Sequence, residues 1–492
     1  MKAKILEYLK NDHHHWWTVG LLPGIYSLLY LYQNNFTLVN SWEQFIAFLI
    51  YFIVAPCTAL VLLDFIFRKK IHIDRKHLYY CFLINNLAVI LSLFVFMRWR
   101  WKALILVFII TIATSKYLSK FYKIGVLLLS IMIIPAALQL GNYYYQSIYN
   151  VQEWSQPQSF EKLNFTKKPN IYLIQPDGYV GKPTMTGPLY KNKNHEFYDT
   201  LEALNFKFNH YYRSNYPSTL SSNSTLFNTQ HHYFNHGKAK NELYNARDKI
   251  MGTNSVLRTF KNNGYETNAI LQSNYLLYNR PEVFYDYINI EMEDVSFFPI
   301  FHNDIDYSYD FKKRLNNNQS TAPQFYFIEI LSPSHISHSK KFSLGIEKET
   351  EIYLEKIPDI NTEINKLINF IISNDKNGII IIAADHGGFA GFEYTTSAYH
   401  KTTNRIELKK SIFNSLLAIK ASDEFTPYRK RITSSINLFP ELFSYLSDQS
   451  QPTITRDASS YIFIKGPKND GVYQYFNTDG ENVTVKKQNH IQ

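Results

Sequence analysis

The sequence predicts an α-helical membrane domain of about five spans, followed by an α/β domain built on a mostly parallel sheet. Three observations carry that prediction. Hydrophobic residues make up 46% of the 492 and charged residues only 19%, against about 25% charged in ordinary soluble domains. The apolar surplus falls before residue 142, in runs of bilayer-crossing length. After residue 170, strand-like apolar runs alternate with segments of helical period, which is the signature of βαβ units. The expected division is therefore an anchor over 1–142, a Gln-, Ser- and Tyr-rich linker over 143–168, an α/β domain over 169–450, and short strands with a polar tail over 451–492.

The apolar runs lie near Trp16–Tyr32, Phe45–Phe67, Leu78–Met97, Ala103–Leu118 and Ile124–Leu140. Pro23, Pro56 and Pro135 fall inside them, where membrane helices tolerate proline. Orientation follows from Lys and Arg, which cytoplasmic loops retain. Lys2, Lys4 and Lys10, then Arg68, Lys69, Lys70, Arg75 and Lys76, belong inside, whereas the loop 33–43 and the stretch from the fifth run to Lys162 hold neither residue. An odd number of spans with the N-terminus inside places everything after about residue 142 on the outer side of the cytoplasmic membrane. No cleavable signal peptide is expected, because the first run has no small-residue cleavage site and further runs follow it. His13, His14 and His15 read as an interfacial polar stretch.

Residues 1–150 hold 14 Lys/Arg against 5 Asp/Glu, so the formal charge of +10 belongs almost wholly to the anchor. The remainder is nearly neutral, and nucleic-acid binding, which needs a basic patch on a folded domain, is not expected. Both cysteines, Cys57 and Cys81, lie inside apolar runs. Disulfides, zinc–thiolate sites and cysteine nucleophiles are thereby excluded from the α/β domain.

Candidate strands are 171–175, 266–271, 325–331, 378–384 and 415–420, and candidate helices are 195–204, 254–263, 360–373 and 434–446. The four isoleucines after Gly378 suit a strand buried on both faces. Ligands of open α/β sheets bind at the carboxyl ends of strands. Here the first strand ends in Asp177-Gly178, the third in Ser-Pro-Ser-His335-Ile-Ser-His338, and the fourth in Asp385-His386-Gly387-Gly388. Metal-ligand side chains thus follow three different strands. Thr219, in Pro-Ser-Thr-Leu-Ser-Ser, reads as the cap or first-turn residue of a helix. Helix N-termini favour anions, and a hydroxyl there is placed to attack phosphorus if its alkoxide is stabilised. Carboxylate oxygens plus one imidazole suit Zn²⁺, Mn²⁺ or Mg²⁺.

These four motifs, in this order over residues 168–450, resemble the alkaline phosphatase superfamily in its sulfatase-like branch. With the membrane anchor, the chain is similar to lipoteichoic acid synthases and phosphoethanolamine transferases, whose catalytic domains face outward. The resemblance implies that Asp177, Thr219, Asp385 and His386 bind one divalent metal ion, with Thr219 as the nucleophile that becomes covalently substituted. It implies that His335 and His338 contact the transferred group or protonate a leaving oxygen, and that Lys401 binds the substrate anion. Formylglycine sulfatases carry Cys or Ser, then Pro and Arg, where this chain has Thr219, Ser221 and Asn223, so their chemistry is not expected. Gly178 replaces the second aspartate of a sulfatase pair, and Asp177 stands where the lipid-donor transferases have Glu. Ser334 stands where two-metal phosphatases have Asp, so a single ion is expected.

The activity implied is transfer of a phospho-substituent from a phosphodiester, such as a membrane phospholipid, to an extracytoplasmic glycan or lipid. The alternatives are a sulfatase-like hydrolase of phosphate or sulfate esters and a catalytically degenerate envelope protein. His231, His232 and His236 read first as core or surface hydrogen-bonding residues.

Overall fold

The computed structural model describes residues 2–11, 13–70, 74–96, 99–149, 160–192, 195–231, 245–301, 305–449, 457–466 and 471–487. They form two compact units: Met1–Tyr149 with the short segments Tyr278–Arg280 and Ser296–Ile300, and the rest of the chain. His232, His236 and residues 150–159 of the expected linker lie outside the described residues.

The first unit is helical. Its long helices are Trp16–Asn35, Trp42–Leu49 running through a π-helical turn at Ile50–Val54 into Ala55–Lys70, Arg75–Phe96, Trp101–Leu118 and Tyr122–Tyr144. The π-turn ends two residues before Pro56, which has no N–H to donate to Phe52 O four residues back. Gly24 approaches that same carbonyl so closely that an added Cβ would sit 2.0 Å from it, so only glycine fits there. Val19, Leu60, Tyr79, Leu83, Tyr122 and Val126 pack inside, while Phe65, Ile105, Ile109, Ile131 and Leu138 point outward. An apolar exterior of this kind suits a lipid solvent.

Among the described residues, three stretches are long and apolar enough to cross a membrane: Trp42–Phe67, Arg75–Leu93 and Trp101–Tyr144. The expectation was about five. The last stretch is two helices parted by a 3₁₀ turn at Ser119–Phe121, so two expected spans merge there. Trp16–Asn35 is helical, but Tyr, Trp, Gln and Asn dilute its apolar character.

Among the described residues the second unit holds ten strands: β1 (Ile171–Pro176), β2 (Lys207–Phe208), β3 (Glu266–Leu271), β4 (Tyr287–Ile288), β5 (Gln324–Ile330), β6 (Ile379–Ala383), β7 (Leu417–Lys420), β8 (Ser460–Ile464), β9 (Gly471–Phe476) and β10 (Asn482–Lys487). The main sheet has the order β2-β7-β6-β1-β5-β3-β4. Strands β6, β1, β5, β3 and β4 run parallel, and β7 is antiparallel to β6. Alternation along the strands feeds two cores: Ile171, Leu173, Ile379 and Ile381 face one, Tyr172, Ile174, Ile380 and Ile382 the other. This accounts for the isoleucine run, which has no solvent face to mark with polar residues.

Helices Thr219–Asn228, Ser255–Asn262 and Ser435–Leu446 supply side chains to the first core, and Ile346–Asn374 to the second. The last helix starts well before the expected residue 360 and runs through Pro358. Pro358 lies on its exposed face, whereas Tyr353, Ile357, Ile360, Ile364, Leu367 and Ile371 keep one buried stripe. Strands β8, β9 and β10 form a separate antiparallel sheet. The polar tail was not expected to add β10. Its signal was Asp479-Gly480 at the turn, a hairpin dipeptide, followed by Val483 and Val485 alternating with polar residues.

Candidate active site

The geometry of parallel pairing brings the ends of β1, β5 and β6 together. Asp177 N–H donates to Ile330 O at the end of β5 (2.8 Å), and Ser334 N–H donates back to Asp177 O (2.9 Å). Gly178 has φ +67°, and a Cβ there would meet Ser334 O at 2.2 Å. An aspartate is therefore sterically barred from position 178 in this backbone. Gly178 N–H and His386 N–H both donate to Asp385 Oδ1, at 3.1 and 2.9 Å. Asp385 Oδ2 is buried and has no hydrogen-bond donor.

Thr219 is the first residue of the Thr219–Asn228 helix, after an extended Ser218. Two side chains on that helix fasten it to the strand ends. Ser222 Oγ donates to Asp385 O (2.7 Å) and Asn223 Nδ2 to Gln175 Oε1 (2.7 Å). Ser222 lies three positions after Thr219, on the same helix face. Thr219 Oγ1 accordingly sits 3.4 Å from Asp177 Oδ1 and 3.4 Å from His386 Nε2. His386 Nδ1 lies 2.9 Å from Gly387 O; a carbonyl only accepts, so Nδ1 carries a proton, and Nε2 is the ring atom that faces the cluster and offers a lone pair whenever the ring is neutral. That Nε2 is 3.2 Å from Asp177 Oδ1 and 3.5 Å from Asp385 Oδ2.

The ligand atoms of Asp177, Asp385 and His386 all lie within 4.8 Å of one another. Without a cation this cluster is electrostatically costly. Burial, then the neighbouring Asp385, push the Asp177 carboxyl up to about 7. Burial disfavours the His386 imidazolium, but Asp385 and Asp177 outweigh it and raise its pKa. Two buried carboxylates, one of them with an unused oxygen, and a lone pair converging on one point fit a divalent ion.

Of the remaining expected residues, His335 is half-buried beside the cluster, its ring 6.0 Å from that of His386. Its Nδ1 is 2.6 Å from Ile336 O. Burial and the facing His386 push its pKa down to about 4, so it is neutral at pH 7. His338 is exposed, its ring 6.4 Å from that of His335. Lys401 is exposed in the loop after Thr395–Tyr399 and makes no hydrogen bond to these side chains. His231 is a buried structural residue, with Nδ1 3.0 Å from Tyr216 OH and Nε2 2.8 Å from Asp457 O.

Three residues near the site were not anticipated. Glu329 on β5 is 1% exposed and neither carboxyl oxygen has a hydrogen-bond partner. Burial, then Asp177 and Asp385, raise its pKa well above the usual carboxylate range. Its only sequence signal was a lone acid in Phe-Tyr-Phe-Ile-Glu-Ile-Leu. Tyr353 OH donates to Gly178 O (2.9 Å), and the Glu349 carboxylate accepts from Ser337 N–H (2.7 Å) and Leu344 N–H (2.8 Å). Both lie on the helix whose start the sequence placed too late.

A parallel sheet covered on both faces, with a threonine at a helix N-terminus facing an Asp/Asp/His cluster, defines an α/β domain of the alkaline-phosphatase-like superfamily. The sulfatase family model matches residues 186–448, more than half of the chain, and the protein belongs to that family. Sulfuryl and phosphoryl transfer are the family's chemistry. No curated protein matches the sequence significantly. Similar solved structures include the C-terminal periplasmic domain of EptC from Escherichia coli (13% identity, TM-score 0.42, covering 64% of this chain and 95% of that one). The lipooligosaccharide phosphoethanolamine transferase A (EptA) of Neisseria meningitidis aligns at 12% identity and TM-score 0.41, covering 75% of each chain. A phosphonate monoester hydrolase from Silicibacter pomeroyi aligns at 13% and 0.42, covering 62% and 81%.

Proposed function

We propose that the protein is a membrane-anchored, metal-dependent transferase that moves a phospho-substituent from a phosphodiester donor, a membrane phospholipid, to an extracytoplasmic glycan or lipid. The observation that carries this reading is the Thr219 hydroxyl, 3.4 Å from both Asp177 and His386 in the buried cluster. Asp177, Thr219, Asp385 and His386 would hold one divalent ion, Zn²⁺, Mn²⁺ or Mg²⁺. Such an ion favours the alkoxide and offsets charge on the transferring group.

Thr219 Oγ1 forms a bond to phosphorus while the bond from phosphorus to the donor alcohol breaks, and the threonine proton leaves with that alcohol. In the second half-reaction an acceptor hydroxyl takes the phospho-substituent and returns its proton to Thr219. His335, with its Nδ1 proton directed to Ile336 O, serves as a hydrogen-bond acceptor, and the exposed His338 contacts the transferred group from the rim. Incubation with phospholipid radiolabelled in its head group is expected to label wild type and leave Thr219→Ala unlabelled; equal labelling of both overturns the reading. Asp385→Asn is expected to lower bound divalent metal by more than about tenfold in elemental analysis, and retention of wild-type metal would remove Asp385 from the ligand set.

Family membership supports a second reading, in which water is the acceptor and the protein hydrolyses phosphate or sulfate esters. Turnover of an aryl phosphate, phosphodiester or aryl sulfate by the purified full chain, with no glycan or lipid acceptor present, would favour it.

A further inference from the structure

The loop that follows His335 carries an exposed apolar cluster that the catalytic reading leaves unused. Phe342 and Leu344 are each 66% exposed and Ile346 is 48% exposed. Large apolar side chains scattered singly on a surface are ordinary, and Tyr211, Phe301 and Tyr309 of the same unit are of that kind. Three within five residues, at the end of one loop and the first position of the helix that follows it, are not.

The loop is also braced. Glu349, itself buried, accepts from Ser337 N–H and Leu344 N–H, and Ser343 Oγ donates to Glu393 O. The apolar groups are thus held outward by specific hydrogen bonds. Charge identifies what they meet. Lys340 and Lys341 are exposed beside them, and the run 331–346 contains no Asp or Glu. Lys341 lies over the Phe342 ring, its Nζ 5.3 Å from the centroid. Aromatic and aliphatic side chains beside a pair of lysines match the boundary between acyl chains and anionic head groups; the nearest exposed acids are Glu347, after Ile346, and Glu393.

We propose that Lys340–Ile346 is a lipid-contact loop, which inserts Phe342, Leu344 and Ile346 into an anionic bilayer surface while Lys340 and Lys341 bind its phosphates. This goes beyond the transferase reading and does not depend on it. Because His338 belongs to the same loop, lipid contact there sets the rim of the site at head-group level.

The test uses the full chain in nanodiscs of phosphatidylcholine, with or without phosphatidylglycerol. In a Cys57→Ser, Cys81→Ser background, an environment-sensitive fluorophore is attached at Phe342→Cys, Leu344→Cys or, as control, Tyr211→Cys. The first two are expected to shift to the blue and to be quenched by lipid-borne spin labels in anionic discs, with Tyr211→Cys unchanged. Adding Lys340→Ala and Lys341→Ala is expected to lower the ratio of inserted to free loop by about 30-fold, and high salt should act in the same direction. Water-like emission at 342 and 344 in both lipids, equal quenching at 211, or a shift that follows protein concentration and so marks a second copy, overturns the proposal. In the unmodified chain, amide exchange over 339–345 is expected to slow in anionic discs, and unchanged exchange also counts against it.

Discussion

The chemistry turns on how few donors the buried carboxylates have. Asp385 Oδ2 has none, and Glu329 has none on either oxygen. For Asp385 this leaves an oxygen that a cation could take, whereas burial and the neighbouring Asp177 and Asp385 raise the pKa of the Glu329 carboxyl. The sign of the resulting pH dependence is fixed. A carboxyl whose folded pKa is raised holds a proton that the unfolded chain releases above about 4.5, so its contribution to stability is present below that pH and is lost as pH rises. Glu329→Gln is isosteric and cannot ionise. In chelator, its melting temperature relative to wild type is therefore expected to rise between about pH 5 and pH 8; parallel profiles would show that Glu329 ionises in the folded protein over the same range as in the unfolded chain. Sequence alone exposed Asp177, Asp385 and His386 because each follows a strand at its carboxyl end. Glu329 was hidden because it sits inside a strand, where alternation gives no hint of the neighbours that surround it.

At the level of elements, one helix positions two loops. From Ile346–Asn374, Tyr353 fixes the carbonyl of Gly178, and Glu349 fixes the loop that bears His335 and His338. Tyr353→Phe keeps the ring packed against Tyr190 (centroids 5.3 Å apart) but removes the donor to a buried carbonyl. The expected cost is about 1–3 kcal/mol of stability, with kcat lowered more than KM because Asp177 is less well placed; an unchanged kcat would reduce Tyr353 to a packing residue. The strands were legible to within a residue or two, since unbroken apolar runs bounded by Gly, Pro and Asp have one simple reading. The helix was legible only in its second half. Proline is a stop signal in sequence, and only the packed molecule shows Pro358 turned to solvent, where a freed carbonyl can meet water. Strands β2 and β4, of two residues each, have no period to detect.

For the whole molecule, apolar composition located the helical unit, and the number of crossings depended on where runs are divided. Charge placement puts the α/β unit outside the cytoplasmic membrane, and that orientation is a proposal with a direct check. A membrane-impermeant thiol reagent applied to intact cells is expected to label Tyr211→Cys in the Cys57→Ser, Cys81→Ser background; labelling only after lysis would invert the topology.

Strand β8 bears on how the finished protein is made. Tyr461 N–H donates to Asn215 O, Asn215 Nδ2 to Ser459 O and Ser460 Oγ to Ser214 O, while Arg213 donates to the carbonyls of Ala458, Asn477 and Thr478. The segment leading into Thr219 is therefore latched by residues synthesised some 240 positions later. On the transferase reading, a chain stopped ahead of Ala458 is therefore expected to leave Thr219 unlabelled by the radiolabelled phospholipid, and labelling of such a chain would show that the latch is dispensable.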